Sequence, residues 1–252
     1  MRDSHKWEEL LPEEFNEEFR RAPIAYLACG GMEEHGLHNA LGVDLHIAYD
    51  ICLRAVALSG GILFPPVPFV PAGSPALSRE ALRSGKHDLF PPSLWVSREL
   101  CETLYVELLE SLADLGFKVC IALGGHGPAF LLLREIEKQR QGRVGDMKFW
   151  GGSERVSLDA IGIGRTRPED RDLAVHAGML ETSLIAACRP DWVDLKRVER
   201  TLSSPLPLQL KASTREQIAL VAGANPEFGE ARLRVVSERI AAHAQELLKD
   251  QS

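Results

Sequence analysis

Glu33, His35, His38 and Asp44 fall within one short stretch, GGMEEHGLHNALGVD, from Gly30 to Asp44. Carboxylates and imidazoles this close together repel, stay idle, or share something positive. A divalent metal is the economical partner, because neutral imidazole and carboxylate oxygen are its usual donors. Two later places carry residues of the same kind. His126 stands in Gly124-Gly125-His126-Gly127, and His176 and Glu181 stand in HAGMLETS, from His176 to Ser183. Each residue also has a plainer reading. Glu33 and Glu34 could form a solvated acidic pair, the reading expected for Glu34. Asp44 could cap the helix after it, and Glu181 could be a first-turn carboxylate favouring a helix dipole. His126 could be a turn residue and His176 a core histidine. His38 divides evenly between a supporting and a structural role. His87, in a long loop, either lines the site or is a surface histidine.

The elements around these residues are those of an α/β fold. Ile24 to Cys29 is a continuous apolar run, as a strand covered on both faces requires. A helix is expected from Leu45 to Leu58, stopped at Gly60-Gly61. Ile62 to Phe69 holds three prolines and reads as an edge or extended segment. Pro71 to Pro92 reads as an irregular loop folded over the site. Ser93 to Leu115 is the longest helical pattern, with Leu100, Leu104, Leu108 and Leu112 as its apolar face. Phe117 to Leu123 is a second buried strand, followed by a helix from Ala129 to Arg140. Met147 to Trp150 is a third strand. A short apolar strand ends at Val175, Met179 to Cys188 is a helix, and Pro226 to Leu248 is an amphipathic one. Strand, glycine loop and helix thus occur twice with metal-type residues at the turn. Residues 1–252 read as a single α/β domain, a mostly parallel sheet flanked by helices on both faces.

The 252 residues carry a formal net charge of −7, and 45 % are apolar. That is ordinary for a globular chain, and without a basic stripe it argues against nucleic acid or an anionic membrane as partner. The opening MRDSHKWEELLPEEF lacks the apolar core of a signal peptide. Five scattered cysteines, with no CxxC pair, read as core thiols of a reducing cytoplasm.

The three motifs, in this order, resemble the creatininase (creatinine amidohydrolase) family across roughly residues 7 to 190. Glu33-x-His35 with Gly36-x-His38 and Asp44 is similar to its first metal motif, Gly124-Gly125-His126-Gly127 to its second, and His176 to Ser183 to its third. His87-x-x-Phe90-Pro91 resembles the family as well. The resemblance implies a three-layer α/β/α fold and two divalent ions, of zinc, manganese or iron. It implies Glu33 and His126 on one ion, His35 and Glu181 on the other, and Asp44 between them. His176 is then the proton carrier, a task that suits the side chain whose charge changes near neutral pH. The family also implies a homo-oligomer, commonly a hexamer. Two departures stand out. Gly124 occupies the place of the usual asparagine. Gly127 and Pro128 stand where creatinine hydrolases carry an aromatic residue and a glutamate.

The expected function is metal-dependent hydrolysis of a C–N bond in a small-molecule amide, of the cyclic type, through metal-activated water, with creatinine a poor substrate. The alternatives are a peptidase or deformylase of the same family, acting for instance in maturation of a peptide-derived cofactor, and a metal-binding protein without turnover. A dinucleotide-binding reading is weaker, because no glycine cluster completes GxGxxG.

Overall fold

A computed structural model describes residues 4–73, 76–85, 92–153, 175–206 and 208–250. The elements run α1 (Pro12–Arg21), β1 (Ile24–Cys29), α2 (Val43–Ser59), β2 (Ile62–Leu63), α3 (Arg79–Ser84), α4 (Arg98–Asp114), β3 (Val119–Gly124), α5 (Gly127–Gln139), β4 (Arg143–Val144), β5 (Met147–Gly152), α6 (Met179–Cys188), α7 (Arg215–Val221) and α8 (Pro226–Lys249). The five strands form one sheet in the order β2-β1-β3-β5-β4, parallel except for β4.

Side chains alternate across β1, as the two-residue period of a strand requires. Ile24, Tyr26 and Ala28 pack with α2, α6 and α8 on one face. Ala25, Leu27 and Cys29 pack with α4 and α5 on the other, where Phe15 and Phe19 of α1 also lie. Both faces are covered, which is why the strand reads as unbroken apolar sequence. The expected proline-bearing edge segment supplies β2, two residues long, at the sheet edge. Cys29, Cys52, Cys101 and Cys120 are buried, and burial pushes the Cys120 thiol up to about 12.

Two expectations are corrected. In α4 the buried residues are Cys101, Tyr105, Leu109 and Leu112, while Leu100 is 44 % exposed. The helix is rotated by about one residue from the expected stripe. Its start also lies later than Ser93: Leu94 and Val96 bridge to neighbouring extended chain, and Ser97 caps the helix by accepting from the Leu100 N–H. The loop expected from Pro71 to Pro92 is not wholly irregular, for it contains α3, which Ser78 caps in the same way.

The register of β1 on β3 positions the site. Ile24 pairs with Val119 and Cys29 with Gly124, so the two strands end level. Their glycine loops leave the same edge side by side, the usual place for a ligand in a parallel sheet. The N-terminus of α2 is wedged against both loops. A Cβ on Gly30 would overlap the backbone of Leu45, and one on Gly125 the carbonyl of Asp44. Only glycine at both positions lets α2 approach this closely.

Candidate metal centre

Asp44 sits in the first turn of α2, two residues after the Gly42 cap, so it is not itself the cap. Its Oδ1 lies 3.1 Å from His35 Nε2 and its Oδ2 lies 3.1 Å from His126 Nδ1. Glu181, in the first turn of α6, brings Oε2 to 3.7 Å from the same His35 nitrogen. Glu33 brings Oε2 to 2.9 Å from His126 Nδ1. The arrangement has two halves that share Asp44: Glu33 with His126, and His35 with Glu181. In each half the three potential donor atoms lie within 4.8 Å of one another. All five side chains are buried.

The backbone orients these donors. Gly36 has φ +72°, which turns the chain back after Glu33 and His35. His35 Nδ1–H donates to the Glu33 carbonyl at 3.1 Å, so the lone pair in neutral imidazole is on Nε2, facing Asp44 and Glu181. Such a bond from the rear nitrogen is the usual support for a metal-binding histidine. The Ala177 N–H donates to Glu181 Oε2 at 2.7 Å. His126 is the N-cap residue of α5, held between glycine and helix.

The electrostatics favour a cation. Burial alone would lower the pKa of His35, but Asp44, Glu181 and Glu33 outweigh it and raise it to about 10. Burial is likewise outweighed at His126 by Asp44 and Glu33, which raise it to about 9. The same two imidazoles hold the Asp44 carboxyl well below the usual carboxylate range, against the burial that would raise it. Three buried carboxylates therefore gather positive charge around them. His126 Nε2 is nevertheless buried without a hydrogen-bond partner among the described residues, and Glu33 Oε2, beside His126 Nδ1, makes no aligned hydrogen bond. Orphaned polar atoms in such a cluster, with oxygen and nitrogen donors converging, fit divalent metal well.

His176 lines the same cavity, its ring centroid 4.3 Å from that of His35. Its Nε2–H donates to the Glu34 carbonyl at 2.6 Å. It also forms a third possible donor group with Glu33 and His35. His38 lies behind the site. Its Nε2–H donates to the Ala177 carbonyl at 3.2 Å, with Thr182 Oγ1 at 3.1 Å, so it ties the first motif to the third. His87 falls outside the described residues, as does most of the strand expected to end at Val175. Val175 itself begins the turn into His176.

Glu34 corrects the expectation of a solvated carboxylate, being 3 % exposed. Its Oε1 accepts from the Gly36 N–H and its Oε2 from the Gln209 N–H. Gln209 and Ser153 line the cavity and were singled out by no motif. Ser153 follows β5, which runs two residues past its expected end. Its strand-end position was the available signal, whereas Gln209 had none.

The cavity over the cluster measures about 390 Å³ and is open on one side, with Pro128, Phe130 and Leu131 as an apolar wall. It admits a small molecule to Glu33, Asp44 and Glu181. No helix among the described residues is long and apolar enough to cross a membrane.

Comparison with known proteins places this arrangement. The sequence matches the creatininase family, described as creatinine amidohydrolase, over residues 8–244. Creatinine amidohydrolase from Pseudomonas putida is 24 % identical over 188 residues, 69 % of this chain and 68 % of that protein. A crystal structure of creatinine amidohydrolase (creatininase) superposes with a TM-score of 0.72 at 24 % identity, covering 98 % of this chain and 99 % of the other. A structure named as creatininase with Mn gives a TM-score of 0.71 at 22 % identity, covering 97 % and 98 %. Since the family match runs through nearly the whole length and includes all three motifs, the chain belongs to the creatininase family.

Proposed function

We propose that this chain is a metal-dependent amidohydrolase that cleaves a C–N bond of a cyclic amide with metal-activated water. The observation that carries the reading is Asp44, whose two oxygens face two different histidines, each beside its own glutamate. A carboxylate so placed suits a bridge between two cations. Glu33 and His126 would hold one ion and His35 and Glu181 the other. When bound, such a pair supplies Lewis-acid polarisation of a carbonyl and a water acidified towards neutrality.

The chain's own residues supply orientation and proton movement. The Glu33 carbonyl and the Ala177 N–H fix His35 and Glu181. The wall of Pro128, Phe130 and Leu131 excludes water from one side of a bound substrate. His176 carries the proton. With Nε2–H given to the Glu34 carbonyl, Nδ1 is the nitrogen that takes up a proton and returns it to the departing nitrogen.

The test joins metal analysis of the purified protein to a screen of cyclic amides and formamides. Two ions per chain and turnover of a cyclic amide are the expected results. Turnover of formamides alone would move the reading to a deformylase. Absence of specific stoichiometric metal after careful metallation would overturn it.

A further inference from the structure

One residue lining the cavity, Gln209, comes from a part of the chain that no motif marks. Between α6 and α8, the turns Leu195–Arg200 and Gln209–Ala212 and helix α7 form a small satellite. Val198, Leu210, Ile218 and Val221 pack there with Ala177, a residue of the turn that carries His176 and Glu181. A second tie is polar: the buried carboxylate of Glu34 accepts the Gln209 N–H at 2.9 Å. Bonds to a buried charged acceptor are among the stronger ones. Leu208 and Leu210, on either side of Gln209, are buried. The backbone at Gln209 is therefore held from three directions.

Gln209 lines the cavity together with Glu33, Asp44, His126 and Glu181. Among the described residues its side-chain amide makes no hydrogen bond. A primary amide offers one acceptor and one donor side by side. Its complement is an edge with a donor next to an acceptor, such as N–H beside C=O; glutamine reads the amino group and ring nitrogen of adenine by the same two-bond logic. Ring closure holds an amide cis and presents such an edge. A linear secondary amide is trans and points its donor and acceptor in opposite directions.

We infer that Gln209 is a specificity-determining residue that pairs with the N–H/C=O edge of a cyclic imide or ureide in this cavity. The inference rests on the amidohydrolase reading and narrows its substrate class. A ring with two carbonyls leaves one such edge for Gln209 while the other carbonyl is the one hydrolysed.

Succinimide carries this edge, and N-methylsuccinimide lacks its donor. Both are titrated into the metal-loaded full chain by calorimetry. The side-chain amide resonances of Gln209, assigned by their loss in Gln209→Leu, are followed by NMR. Succinimide is expected to shift these resonances, and Gln209→Leu to weaken its binding roughly tenfold, as two lost hydrogen bonds imply. Gln209→Glu, which keeps the shape and loses the donor, should weaken it too, with metal content and thermal midpoint retained in both variants. N-methylsuccinimide, which keeps only the acceptor, should bind wild type more weakly than succinimide does and lose less in Gln209→Leu. Unchanged succinimide affinity in both variants, an equal loss for both probes, or no succinimide binding at millimolar concentration would each overturn the inference. The two readings fail separately. Absent turnover with the Gln209 shift intact removes only the hydrolase reading. Turnover with the same kcat/KM in Gln209→Leu removes only the role of Gln209.

Discussion

Gly125 lies directly against the carbonyl of Asp44, so close that a Cβ there would overlap the oxygen. The backbone of the second motif thus braces the turn of α2 that carries Asp44, beside the contact that the His126 side chain makes with its carboxylate. Gly125→Ala must push α2 off the sheet edge, and overpacking of this kind costs about 1–3 kcal/mol. The variant should unfold at a lower temperature and bind less metal, although no donor is altered. Gly127→Ala is the control, since a Cβ there meets nothing within 4 Å. Equal metal content and melting temperature in the two variants would contradict this account.

Asp44→Ala should lose both ions, because each half of the cluster depends on that carboxylate. His35→Ala should lose one selectively, leaving Glu33, Asp44 and His126 to hold the other. Elemental analysis of the two variants decides the matter. Retention of both ions by Asp44→Ala would mean that it is no bridge.

His176→Ala should keep its metals and its fold while hydrolysis slows by roughly 10²–10⁴-fold, the usual range for one general acid or base. The loss should lie mainly in kcat, and a leaving group that needs no protonation should suffer less. Metal loss in this variant would make His176 a ligand, a role its grouping with Glu33 and His35 would permit. Unchanged turnover would return it to a structural role.

Creatinine should be turned over far more slowly than the best cyclic imide or amide. Gly127 and Pro128 offer no polar side chain where the family resemblance puts an aromatic residue and an acid in creatinine hydrolases, and unmade polar contacts cost specificity heavily. Comparison of kcat/KM for creatinine and for the best substrate checks this.

His38 gives a pH signature of stability. Burial first, and then His35 and His176, lower its pKa to about 4 against the pull of the Ala177 carbonyl. The unfolded chain takes up this proton near the ordinary value of 6.5, whereas the folded chain stays neutral until about 4. Stability from this group is therefore complete above 6.5 and is lost as pH falls through that window. In chelator-treated protein the melting temperature should fall by on the order of 5–10 °C across it. His38→Gln should show a flatter profile, and an identical slope would remove His38 as the cause.

The three central strands, β1, β3 and β5, and the order of the motifs were legible because each rests on local chemistry, whereas the short β4 carried no signal. Ile24 to Cys29 is apolar throughout since both faces are covered, and the glycines at 30, 36 and 125 mark turns or close approaches that only they permit. The face of α4 was not, because Leu100, Leu104 and Leu108 run beside Cys101, Tyr105 and Leu109, two neighbouring stripes of equal period. The packing of the helix on the sheet chose between them, with Leu104 and Leu108 left partly buried at the margin. Glu34 resembled a surface acid because its partner, the Gln209 N–H, lies 175 positions on. The departure at Gly124 also has a local cause. A Cβ there would overlap the backbone of Phe130, so this chain's α5 leaves no room for a larger residue.

The strand order has a consequence for how the chain is made. β1 precedes the other strands in the chain, yet it takes an interior place between β2 and β3. Its neighbour on one side contributes only two paired residues, and the six-residue pairing on the other waits for Val119 to Gly124. Until then IAYLAC has one long unsatisfied edge and two uncovered apolar faces, a state prone to association. Glu181 arrives later still, so the full donor set can assemble only after the sheet has closed around its first strand.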